Sequence, residues 1–108
     1  MANFEDFKKI EIRAGKVLSA EKIPETEKLV KLDVNFGEIG SRQIVAGIAA
    51  HFPNPADLVN KMFAFVTNLE PKVIKGLESQ GMILATGDET AFSLLMISDS
   101  VIPGSLVR

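Results

Sequence analysis

A chain of 108 residues is enough for one domain with a single core, without disulfide or metal staples. Hydrophobic residues at 46% and charged residues at 24% exclude a disordered composition, and no apolar run reaches the ~18 residues that a membrane-spanning helix needs. The absence of cysteine excludes disulfides, zinc–thiolate sites and thiol catalysis, and a net charge of −2 argues against a general polyanion binder.

Charge is unevenly placed along the chain. Between residues 8 and 31, seven cations (Lys8, Lys9, Arg13, Lys16, Lys22, Lys28, Lys31) stand against four acids (Glu11, Glu21, Glu25, Glu27), and Arg42, Lys72 and Lys75 follow. Asp88, Glu89 and Asp99 gather toward the C-terminus. This permits a polarised surface, although lysines scattered over a solvated face give the same count. The first residues, Met1 to Asp6, lack the basic-then-apolar order of a secretion signal. Together with the missing cysteines this reads as a cytoplasmic protein, and Met1 with the compact length reads as a complete one.

Asn3 is placed to cap a short helix, with Asp6 three positions on and Phe4 and Phe7 on one face. Ile10, Ile12, Ala14, Leu18 and Ala20 share one parity, the period of a long strand, and Gly15 in its middle predicts a bulge or bend. Val30, Leu32, Val34 and Phe36 alternate with polar residues, so that strand has one wet and one buried face. Residues 36–41 read as a turn and Arg42 to Ile48 as the next strand. Asn54 at the cap, Pro55 at the first helical position and Asp57 predict a short helix. Lys61 to Thr67 is an apolar run buried on both faces. Gly81 to Thr86 and Phe92 to Ile97 are strands around a turn at residues 87–90, and the tail from Val101 to Val107 is unusually apolar.

Three strands, a short helix and two more strands are the order of an OB-fold. The expected architecture is all-β: one domain over residues 1–108, a five-stranded OB-fold barrel with short helices and a C-terminal extension. An SH3-like barrel competes, but the helix after the third strand counts against it.

Residues 68–86 place a polar turn, two lysines and a hydroxyl between short apolar flanks, which describes a loop displayed by a β framework. Here the sequence resembles the tRNA-binding domain family, which includes stand-alone tRNA-binding proteins, C-terminal domains of methionyl-tRNA synthetases and the CsaA chaperones. The matching pieces are Asp6-Phe7, Ile12 to Val17, Lys28-Leu29, Arg42 to Ile48 and, most specific, Asn68-Leu69, Pro71-Lys72, Gly76, Ser79, Gly81 and Met82. The resemblance implies recognition of tRNA by shape at the outer corner of the L. It implies an RNA surface of Asn68, Lys72, Ser79 and Met82, with Lys28, Arg42 and Lys75 as phosphate contacts. It also implies a homodimer built through the C-terminal region, and methionyl-tRNA synthetase as a partner in trans. Glu70 departs from the pattern, where relatives carry a lysine or a small residue, and an acid there weakens phosphate attraction.

The residues agree in kind. Lysine and arginine neutralise phosphates, Asn68 and Ser79 have donors for phosphate or 2′-hydroxyl oxygens, and Met82 offers an adaptable apolar surface. Gly76 and Gly81 allow close backbone approach. Plainer readings stand beside these: a core methionine at 82, a turn-closing asparagine at 68 and a loop histidine at 51, the one histidine of the chain. Asp88-Glu89 reads as a turn rather than a calcium site. Ser79 lacks a neighbouring base, so no catalytic residue, metal or cofactor is expected. With no tyrosine or tryptophan, base stacking along a single strand is disfavoured. The alternative function is a CsaA-type chaperone holding unfolded peptides; a third is an assembly module without RNA affinity.

Overall fold

The computed structural model describes residues 1–108, and its first feature is a capping box. Asn3 Oδ1 accepts from the Asp6 amide at 2.9 Å and Asp6 Oδ2 accepts from the Asn3 amide at 3.1 Å, starting α1 (Phe4–Lys8). Phe4 and Phe7 do share a face, but that face is open to solvent.

Strand β1 (Ile12–Lys22) is long enough to serve two neighbours. Its first half pairs antiparallel with β4 (Met62–Val66), its second with β2 (Val30–Asn35). The expected parity of β1 fails at Leu18, because a bulge between Val17 and Ser19 skips it. Val17 is therefore buried and Leu18 exposed. The bulge comes three residues after Gly15, whose own role is packing. A Cβ there would stand 2.6 Å from both Phe36 Cε1 and Val34 Cγ1, so a side chain would force the core apart.

Strand β2 alternates as the sequence predicts, with Val30, Leu32 and Val34 fully buried. It pairs with β3 (Ser41–Ala46) through a one-turn 3-10 helix at Gly37–Ile39. The predicted helix near residue 55 is likewise a single 3-10 turn, Pro55–Leu58; Pro55 opens it, but Asn54 makes no side-chain capping bond. Its Leu58 is buried under the barrel. Every residue of β4 is buried, because sheet neighbours flank it and both its faces are covered.

The chain then forms β5 (Lys72–Ile74), β6 (Leu77–Ser79), β7 (Met82–Ile83), β8 (Ala85–Gly87), β9 (Phe92–Leu94) and β10 (Met96–Ile97). The strands expected at Gly81–Thr86 and Phe92–Ile97 are thus each split in two: β7 and β10 share one edge of β4 end to end, while β8 and β9 form a hairpin between them. The sheet runs β10-β4-β1-β2-β3 and curls until β3 meets β6 and β7, an all-β OB-fold barrel. Its core is centred on Phe36 and Phe65, packed edge to face at 5.2 Å, with Leu32 and Ile44 fully buried beside them. Burying each such side chain stabilises the fold by about 1.5–3 kcal/mol.

The C-terminal segment is part of the sheet. Ala14 donates to the Ser105 carbonyl, Gly104 to Ala14 and Val107 to Ile12, so residues 104–107 pair with the free edge of β1. Arg13 secures it, donating to the Gly104 carbonyl at 2.8 Å. Ile102 and Leu106 remain exposed. His51 ends a 3-10 turn, Ala49–His51, and lies parallel on Phe92 with ring centroids 3.8 Å apart, a packing role that a loop reading missed. No helix is long and apolar enough to cross a membrane.

Candidate nucleic-acid interface

The residues singled out between 68 and 82 surround a small hairpin, β5–β6, held against the outer edge of β3. Its turn has two central residues, Lys75 and Gly76, with φ of 51° and 78°. Both lie in the left-handed region, as the twist of a two-residue hairpin requires. Glycine takes that conformation freely; lysine does so at a cost of about 1–2 kcal/mol. A Cβ on Gly76 would meet nothing, so backbone conformation rather than close approach demands glycine there. At Gly81 the reverse holds, since a Cβ would stand 2.8 Å from the Val66 carbonyl oxygen.

Docking of the hairpin on β3 uses side chains in place of a regular ladder. Ser79 Oγ accepts from the Val45 amide at 2.9 Å and donates to the Gly81 carbonyl at 3.1 Å. Gln80 Oε1 accepts from the Gln43 amide at 3.0 Å, and the Gln80 amide donates to the Gln43 carbonyl at 2.8 Å. Gln43 Nε2 in turn donates to the Glu78 carbonyl at 2.9 Å. Ser79 is 4% exposed and gives its one hydroxyl hydrogen to the Gly81 carbonyl, so it has none left to donate to an RNA oxygen. Its barrel-facing position across from Val45 makes it an anchor for the hairpin.

Two other expected contacts are partly occupied. Asn68 Oδ1 accepts from the Glu11 amide and Nδ2 donates to the Lys9 carbonyl, both at 2.8 Å, so Asn68 ties the chain before β1 to the exit of β4. One amide hydrogen remains for a ligand. Arg42 is half-buried and donates from Nη1 to the Thr67 carbonyl, leaving part of its guanidinium free. Beneath it Glu11 accepts from Thr67 Oγ1 at 2.6 Å and from Arg13 at 3.1 Å. The hydrogen bonds from Arg13 and then Thr67 hold the Glu11 carboxyl below its usual pKa range. Sequence reading missed this cluster and the Gln43–Gln80 pair, whose partners are far apart in the chain.

Three cations remain open. Lys28, Lys72 and Lys75 are exposed and none forms an ion pair. Lys28 and Lys75 line opposite sides of one groove of about 440 Å³, between the loop joining β1 to β2 and the hairpin. Lys72 lies directly across the hairpin from Ser79, and Met82 at the start of β7 is 47% exposed, which removes it from the core. No cluster of His, Asp and Glu side chains suited to a metal is present.

An OB-fold barrel that displays unpaired lysines on its loops is a nucleic-acid-binding class of structure. A family model described as "Putative tRNA binding domain" matches residues 12–106, and the chain belongs to that family. It is 53% identical over 108 residues to a methionine–tRNA ligase of Methanoregula boonei, covering all of this chain and 16% of the ligase. Over 103 residues it is 44% identical to the Thermotoga maritima ligase, covering 95% of this chain and 16% of that one. The chain thus spans about one sixth of the length of these relatives. Among solved structures, a MetRS-related protein from Pyrococcus horikoshii superposes with a TM-score of 0.92 at 40% identity, over 100% of this chain and 98% of that one. The chaperone CsaA from Bacillus anthracis gives 0.88 at 32% identity, over 100% and 99%.

Proposed function

We propose that this chain is a non-catalytic cytoplasmic module that binds tRNA by shape at the outer corner of the L, alone or in trans with a methionyl-tRNA synthetase. The observation that carries the reading is the pinned β5–β6 hairpin with Lys72 and Lys75 unpaired on it and Lys28 across the groove. A backbone already pinned under these cations removes the cost of ordering the hairpin, and each phosphate contact releases counterions from the RNA. Asn68, Arg42 and Met82 border this surface, the first two with donors to spare. In this reading Ser79 and His51 are structural: the Ser79 hydroxyl is bonded to backbone and the single histidine is stacked on Phe92. In a synthetase complex such a module raises the local concentration of tRNA.

The reading includes a homodimer through the C-terminal region. Phe4, Phe7 and Ile10 of the N-terminal segment and Leu106 and Val107 of the tail border one apolar groove of about 310 Å³. A second copy covering it would bury side chains now in water. Peptide capture in the same groove, as a CsaA-type chaperone, is the competing use. Filter binding of bulk tRNA separates them. Lys72→Ala is expected to lower affinity several-fold, and wild-type log K to fall with log salt at a slope of about −3. Salt-insensitive binding of denatured protein, with no retention of tRNA, would instead favour the chaperone.

A further inference from the structure

The groove between Lys28 and Lys75 is also lined by Glu25, Glu27, Leu29 and Ile74. Two carboxylates are a liability where the sole task is to hold phosphates. Yet neither acid pairs with either lysine, so all four charges stand free on its walls. Between them Leu29 and Ile74 are half-buried, presenting an apolar floor.

Both walls are set before any ligand arrives. Thr26 Oγ1 donates to the Ile23 carbonyl at 3.1 Å and accepts from the Leu29 amide at 3.3 Å, closing the loop on itself. The Ala49 amide then fastens the Lys28 carbonyl at 3.0 Å. Glu25, at φ 68°, and Lys75, at φ 51°, both hold left-handed conformations facing this groove.

We propose that this groove takes one unstacked nucleotide of the RNA. Its base lies on Leu29 and Ile74, its phosphates meet Lys28 and Lys75, and its donor edge faces the carboxylates of Glu25 and Glu27. An ionised carboxylate only accepts hydrogen bonds, so it selects bases by their N–H groups. Guanine, with adjacent N1–H and N2–H donors, satisfies it best, and uracil least. Such reading of a splayed base is how proteins find sequence in folded RNA. The inference rests on the RNA-binding reading above and adds a base preference to recognition by shape.

The test is equilibrium binding of bulk tRNA and of a fully paired RNA duplex to the wild type and to the Glu25→Gln/Glu27→Gln double variant, with Lys72→Ala beside them. Both glutamates are exposed and the changes keep their shape. The proposal predicts that the double variant binds tRNA at least about fivefold more weakly, the loss of a charge-assisted contact to a base, while duplex binding is unchanged or tighter. Binding of tRNA that tightens, as removal of two negative charges beside phosphates dictates, would overturn it, as would unchanged affinity. In both cases a weakened Lys72→Ala variant leaves the RNA-binding reading standing. Failure of the wild type to bind either RNA would remove that reading itself.

Discussion

The hydroxyl of Ser79 lies 2.9 Å from the amide nitrogen of Val45 and accepts its hydrogen, bridging the β5–β6 hairpin to the edge of β3. Val45 is buried, so its amide has no water to turn to when the hydroxyl is removed. Ser79→Ala is expected to cost about 1–3 kcal/mol of folding stability, read as a lower urea midpoint. It also weakens tRNA binding, because the hairpin loses its seat. Amide shifts in free Ser79→Ala should extend through residues 72–79, whereas Lys72→Ala leaves them near wild type.

The αL conformation of Lys75 sets stability against binding. Asparagine adopts that conformation far more readily than lysine in a two-residue hairpin. Lys75→Asn is therefore expected to raise stability by about 0.5–1 kcal/mol and to weaken tRNA binding by removing a phosphate partner. Thermal melting and filter binding on one preparation check both signs.

Glu70 is exposed just ahead of Lys72 and makes no ion pair. Replacing it by lysine exchanges repulsion of phosphate for attraction. Glu70→Lys is expected to tighten tRNA binding several-fold and to steepen the salt slope by about 1. Titrations at several salt concentrations measure both.

Glu11 links folding to acid. Its carboxyl is held below the usual range in the folded chain, chiefly by the hydrogen bond from Arg13 and next by that from Thr67. The stability this contributes is complete above the unfolded glutamate range near pH 4.5 and is lost as pH falls through the lower folded value. Glu11→Gln should flatten the fall of stability below about pH 4.5, as followed by urea midpoints between pH 3 and 7.

What was legible in the sequence was local. The Asn3–Asp6 capping box, the alternation of β2 and the wholly apolar β4 each write their environment into neighbouring residues. Leu18 escapes the expected parity because a bulge changes the phase of a strand without leaving a mark in composition. Ser79 and Asn68 were found as site residues by resemblance, but their bonds reach 34 and 57 residues along the chain. No local pattern carries a partner that distant, so a buried anchor and an exposed contact look alike in the sequence. The resemblance sets Lys28 and Lys75 on one RNA surface, but only the curl of the sheet makes them walls of one groove.

Whether folded tRNA lands on the β5–β6 hairpin and the groove beside it is decided by NMR shift mapping of the isotope-labelled protein with bulk tRNA. Perturbed amides are expected to cluster at residues 25–29, 72–76 and 82, and added salt to reverse the shifts. Perturbation confined to α1 and residues 104–108, with the hairpin and groove unchanged, would contradict that placement.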